Sequence, residues 1–203
     1  MCIVVVKPMG VSFPKRNWIE NCVKNNPSGF SMAWNVKNKK GTMGLLNYQT
    51  LDKDEFLKFF DNLTTYLDPK TTAMIFHCRI KTEGSVCIKN CHCWKSEDFA
   101  FAHNGSLGIK VHDDMTDSEC FFRDIFTPIY KYGGWDAATK VINELIDKSK
   151  FAFLDKEGVV KTFGDFSTEE GCMFSNKSYQ DTYTKVTYTK YSSYDDYEDY
   201  YFK

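Results

Sequence analysis

The chain has 203 residues, with 26 Lys and Arg against 27 Asp and Glu, a formal net charge of -1 at pH 7. That length suits one domain, with or without a tail, and a sizeable core; the near-balanced charge argues against a protein built to neutralise nucleic-acid phosphates. No run approaches the roughly 18 apolar residues of a membrane span, and the apolar start lacks the basic flank of an export signal, so no membrane partner is expected and the eight cysteines are read as reduced thiols in a cytoplasm.

Residues 3–6 (Ile-Val-Val-Val) form a short apolar run and read as a buried strand. Cys2 stands directly before it. A cysteine there is either a small apolar residue opening a strand or, once Met1 is removed, a thiol carrying its own α-amine as base. Pro8 and Gly10 mark a turn. Residues 17–25 read as a helix with Trp18, Ile19, Cys22 and Val23 on one side. Residues 30–36 and 42–48 read as a hairpin around a polar turn. Asp52 can cap the next helix, with Glu55 placed as in a capping box. Phe56, Phe59, Phe60, Leu63 and Leu67 fall at helical spacing and read as core.

Residues 71–80 and 99–102 read as strands. A helix opens at Asp117, with Cys120, Phe121, Ile125 and Ile129 on its apolar side. Gly133-Gly134 is expected to break it, and a further helix spans 135–147. Residues 151–154 and 159–163 read as a hairpin, and 172–174 as a last core strand ending at Ser175-Asn176. Period-2 strands with one-faced helices suit two packed antiparallel sheets with helices outside, within an α+β class. From residue 179 the composition changes: eight of the twelve tyrosines lie there, among Thr, Ser and Asp. The domain is therefore expected over 2–179, with 180–203 a mobile Tyr/Asp/Ser-rich tail.

Four clusters carry candidate chemistry. In 77–84, Arg79 at a strand end can fork a carboxylate, with Thr82 and Gly84 following. Cys87, Cys91, His92 and Cys93 are metal-ligand types, but their spacing is not that of a zinc knuckle, so no metal and no cofactor is expected. Asn104-Gly105 after a strand is either a hairpin turn or a pair of donors suited to an oxyanion. Asp117, in Thr116-Asp117-Ser118-Glu119, is either part of a helix cap or a carboxylate aimed at an ammonium.

In chain order these give Cys2, H-x-R-x-x-T-x-G (77–84), N-x-H (90–92), F-A-H-N-G (101–105) and T-D-S-E (116–119). The combination resembles the class II glutamine amidotransferases, the glutaminase domains of the N-terminal-nucleophile hydrolase superfamily, over about residues 2–176. The resemblance implies a four-layer αββα sandwich. It implies Cys2 as nucleophile and Asn104 with Gly105 as oxyanion hole. Arg79 would bind the glutamine α-carboxylate and Asp117 the α-ammonium, with Thr82 near the substrate and His92 near the site. Ser175-Asn176 matches a late serine-containing segment to which no chemistry is assigned. Lys81, Glu83 and Cys93 depart from common family residues around the pocket. The expected activity is hydrolysis of L-glutamine to glutamate and ammonia through a thioester. The resemblance covers nearly all of the chain but its tail, so a separate ammonia-accepting synthase subunit is expected. Another amide substrate, or an inactive binding module of the same fold, are the alternatives.

Overall fold

The computed structural model describes residues 1–81, 85–112 and 115–181. The expected tail, apart from Gln180 and Asp181, lies outside these residues. The elements run β1 (Ile3–Lys7), α1 (Arg16–Asn25), β2 (Phe30–Lys37), β3 (Met43–Thr50), α2 (Lys53–Tyr66) and β4 (Met74–Cys78). A 3-10 turn over Ile88–Asn90 precedes β5 (Trp94–Lys95) and β6 (Phe99–Asn104). Then come α3 (Asp117–Cys120), a π-helical turn (Phe121–Phe126), α4 (Thr127–Leu145), β7 (Lys150–Asp155), β8 (Val160–Phe163), β9 (Ser167–Glu169) and β10 (Cys172–Phe174). No helix among the described residues is long and apolar enough to cross a membrane.

The strands form two antiparallel sheets, in the orders β3-β2-β4-β1-β10-β9 and β5-β6-β7-β8. Strand alternation assigns their faces. Ile3, Val5, Met32, Trp34 and Phe76 pack against Trp18, Ile19, Cys22, Phe56 and Phe60 of α1 and α2. Val4, Val6, Ala33 and Ile75 face the second sheet, where they meet Ala100, Ala102, Ala152 and Leu154. Phe99, Phe101, Phe151 and Phe153 point the other way, onto Phe121, Phe122, Phe126, Ala138 and Ile142. The molecule is thus α+β, with four layers in the order αββα. Alanines fill the layer between the sheets and phenylalanines the layer under the second pair of helices.

Local expectations are met with some differences. Asp52 caps α2 through Oδ1, accepting from the N–H groups of Asp54 and Glu55. The reciprocal half of the capping box does not form. Glu55 instead accepts from the Tyr48 and Thr50 hydroxyls, at 2.5 and 2.8 Å. The expected break at Gly133-Gly134 is present: Gly134, with φ 62° and ψ -162°, is non-helical and divides α4 into two helices at a kink. The first helix of that region holds only Asp117–Cys120 before the π-helical turn. Asn104 is no hairpin turn residue. It pairs with Lys150 as the last residue of β6.

Phe56 is fully buried between α2 and the first sheet, 5.5 Å from the Phe30 ring. Phe56→Ala is expected to lower unfolding free energy by about 3–5 kcal/mol. Ala152→Leu, which forces bulk between the sheets, is expected to lower it by about 1–3 kcal/mol. Urea titration measures both.

Candidate active site

One strand begins and three end at the same edge of the two sheets. β1 runs antiparallel to β4 and β10, its neighbours on either side. Its first residues therefore lie beside Arg79-Ile80, just past β4, and Ser175-Asn176, just past β10. The end of β6 brings Asn104-Gly105 to the same place from the second sheet. Cys2 Sγ is held by Ile80 from both sides: the Ile80 N–H donates to it at 3.4 Å, and the thiol donates to the Ile80 carbonyl at 3.6 Å. Asn176 Nδ2 donates to the Cys2 carbonyl at 2.6 Å. Burial pushes the Cys2 thiol above its ordinary pKa; the Ile80 N–H, the chain-terminal charge and Arg79 oppose that rise.

A cavity of about 520 Å³ opens on Cys2. Arg79, His92, Gly105 and Asp117 line it, together with Asn90, His103 and Ser118. Four expected site residues thus share one cavity with the thiol. Arg79 is buried, and its Nη1 donates to the Ser85 carbonyl at 2.8 Å. Thr116 Oγ1 caps α3 by accepting from the Glu119 N–H, which frees the Asp117 carboxylate from capping. Asp117 Oδ2 accepts from the Leu107 N–H at 2.7 Å, and Oδ1 from the Ser118 N–H and hydroxyl at 2.7 and 3.1 Å. A carboxylate has about four lone-pair sites, so one remains for a ligand.

Gly105 has φ 151°, and a Cβ there would lie 2.8 Å from the Ser149 backbone, so only glycine fits. Asn104 does not line the large cavity. It borders a smaller space of about 230 Å³ on the other flank of Cys2, with Met1 and Gly105. Its Nδ2 donates to Ser175 Oγ at 2.9 Å, leaving one N–H. Ser175 Oγ also accepts from the Val4 N–H at 2.8 Å. Ser175 and Asn176 thus tie the thiol's strand to Asn104, a function the sequence reading does not assign. Its only sequence signal is the polar pair after the last core strand. Thr82 lies outside the described residues, as do Glu83 and Gly84.

Three buried imidazoles stand together here, His92 and His103 in the cavity wall and His77 outside the lining. His77 stacks on His92 with ring centroids 3.9 Å apart, and His103 lies parallel to His92 at 6.2 Å. His92 Nδ1 accepts from the His103 N–H at 3.2 Å, and His103 Nδ1 is 2.6 Å from Ser118 Oγ. Neither ring nitrogen of His77 has a partner. Desolvation lowers His77 to about 3 and His103 to about 4, and holds His92 well below the ordinary range. All three are neutral at pH 7. The cysteines near His92 do not gather around it. Cys91 Sγ turns to the carbonyls of Thr50 and Cys87, and Cys93 lies in the core between the sheets.

The family described as class-II glutamine amidotransferases matches residues 1–163. A solved structure described as that of the allosteric regulatory enzyme of purine biosynthesis is similar at 17% identity and a TM-score of 0.42. The match covers 80% of this chain and 35% of that one, so this chain spans about a third of its length. No curated protein sequence matches.

The imidazole column sets an acid limit on stability. An unfolded imidazole titrates near ~6.5, above the folded values. The stabilising contribution is therefore complete above that pH. It is lost progressively as pH falls toward about 4 for His103 and about 3 for His77. Each imidazole adds a slope of about 1.4 kcal/mol per pH unit between those limits. His77→Phe is expected to flatten the dependence by one proton between pH 6 and 4.5. Urea unfolding of both chains across that range measures it, and equal slopes would contradict the assignment.

Proposed function

The chain belongs to the class II glutamine amidotransferases, and we propose that it hydrolyses L-glutamine with Cys2 as the nucleophile once Met1 has been removed. The observation that carries this reading is one cavity lined by Cys2, Arg79, Gly105 and Asp117, which lie far apart in the chain. Glutamine is a zwitterion with a neutral amide at its far end. Arg79 would take the α-carboxylate and Asp117 the α-ammonium, which orients the amide against Cys2. His92, being neutral, would shape the wall without competing for either charge. Thr82 is assigned beside the substrate on the family pattern alone.

With Met1 gone, the α-amine belongs to Cys2. Burial keeps the thiol protonated, so the amine would take its proton as sulfur attacks the amide carbon. The oxyanion forms against the free Asn104 N–H and the Gly105 N–H. The intermediate collapses with transfer of the proton to the leaving nitrogen, and ammonia departs. Water, deprotonated by the same amine, attacks the thioester. Glutamate leaves and the thiol is restored. The ammonia would serve an acceptor enzyme, and co-purification would identify it. The domain is proposed to extend over 2–179. β9, β10, Ser175 and Asn176 belong to the fold, and Tyr179 is buried with its ring stacked on Phe174 at 3.8 Å.

One feature favours an amide other than glutamine: Asp117 already accepts three hydrogen bonds. If Asp117→Asn leaves KM for glutamine unchanged, the ammonium assignment fails. The expected result is a KM rise of roughly tenfold or more, as for loss of a hydrogen bond between charged groups.

Cys2→Ala is expected to abolish glutamate release, and equal release by both chains would overturn the proposal. Asn104→Ala should lower kcat by about 10²–10³ with little change in KM. Mass spectrometry should find the mature chain starting at Cys2. A chain that keeps a residue before Cys2 should be inactive, because its thiol lacks a free α-amine of its own.

A further inference from the structure

Among the described residues, one group of side chains has the make-up and closeness of a metal site, and the reaction above does not use it. His112 stands on the segment between β6 and α3. Cys120 ends α3, and Asp124 lies one turn on, in the π-helical turn. A His112 ring nitrogen, Cys120 Sγ and an Asp124 carboxylate oxygen all lie within 4.8 Å of one another. His112 Nε2 is 3.0 Å from Asp124 Oδ2. Cys120 is buried, while the other two side chains are about half exposed.

The geometry points to a site for a divalent transition metal of the zinc type, held by His112, Cys120 and Asp124. Thiolate and imidazole select zinc-like ions over calcium or magnesium, which take oxygen donors. Tetrahedral zinc sets its donor atoms roughly 3–4 Å apart. The observed separations close to that by side-chain rotation. Thiolate and carboxylate together cancel the ion's two charges, so the complex is neutral at a half-buried position. Binding replaces the His112–Asp124 hydrogen bond and releases the Cys120 thiol proton to solvent.

The site lies beside the cavity rather than in it. The segment 106–112 supplies Ser106 and Val111 to the cavity wall. That segment is held at Leu107 by Asp117. A metal on His112 fastens the far end of that segment to the helix and stiffens the wall.

The test uses the full chain and zinc itself, and is independent of glutaminase activity. An N-terminal aminothiol also binds zinc, so all chains carry Cys2→Ala. Equilibrium dialysis against zinc chloride should give one ion per chain in this parent. Binding should weaken by at least about tenfold when His112→Ala or Asp124→Asn is added. Both residues are exposed enough to replace without loss of fold, which an unchanged metal-free melting temperature verifies. Cobalt(II) in the parent should show intense thiolate-to-metal charge-transfer absorption, and Cys120→Ala should remove it. Zinc should slow amide hydrogen exchange across 106–112 in the parent and not after His112→Ala. Equal zinc uptake by the parent and its His112→Ala variant, or a cobalt adduct without the thiolate band, overturns the site. Zinc bound without slowed exchange overturns the clamp.

Discussion

The cavity depends on the start of β1 being held on both sides. A residue next to a chain terminus ordinarily frays unless something ties it down. Here β1 lies inside a six-stranded sheet, all five of its residues are buried, and both neighbours are hydrogen-bonded to it. Because those neighbours are antiparallel to it, their ends arrive where β1 begins. Ile80 then grips the thiol and Asn176 the Cys2 carbonyl. Were β1 an edge strand, one of these two grips would be missing. The position of the proposed nucleophile therefore follows from strand order, not from local sequence.

The second constraint is the layer between the sheets. Ala33, Ala100, Ala102 and Ala152 keep that layer thin. A thin layer lets the end of β6 come over the start of β1, close enough for one serine hydroxyl to accept from both Val4 N–H and Asn104 Nδ2. The phenylalanines that alternate with these alanines in β6 and β7 do the opposite work on the outer face, filling the wide space under the helices. One alternating pattern thus sets both the stability of the outer layer and the closeness of the inner one.

Much of this is legible from residue type and spacing. The continuous apolar run of β1 reports burial on both faces, while the Phe-Ala alternation of β6 and the helical stripes of α1 and α2 each report one face, because burial acts residue by residue. What stays hidden involves partners distant in sequence or backbone geometry without a side-chain signature. Ser175 reads as a polar residue after a strand until Val4 and Asn104 are seen at its hydroxyl. Glu55 has the spacing of a capping box, yet Tyr48 and Thr50 from β3 take its carboxylate. Cys87, Cys91 and Cys93 look like ligands around His92 because they are near in sequence. Cys93 takes φ 59° and its side chain enters the core. The π-helical turn after Cys120 has no pattern of its own in a run of Phe and Ile.

The electrostatics of the cavity follow from the same burial. Three imidazoles stand at it, two of them in its wall, and none is charged at neutral pH, because desolvation lowers all three. Arg79 and Asp117 are then opposite charges in a wall whose other described residues are apolar or neutral polar. A partly buried wall screens less than open water, so a zwitterionic head group gains more from the two together than from either alone. The thiol obeys the same rule. An anionic sulfur near Arg79 would compete for the guanidinium proposed to take the substrate carboxylate. Burial raises the thiol pKa and keeps sulfur neutral until a base at its own α-carbon removes the proton. On the proposed mechanism the α-amine takes that proton only as sulfur attacks, so burial holds negative charge off the sulfur while a substrate carboxylate reaches Arg79.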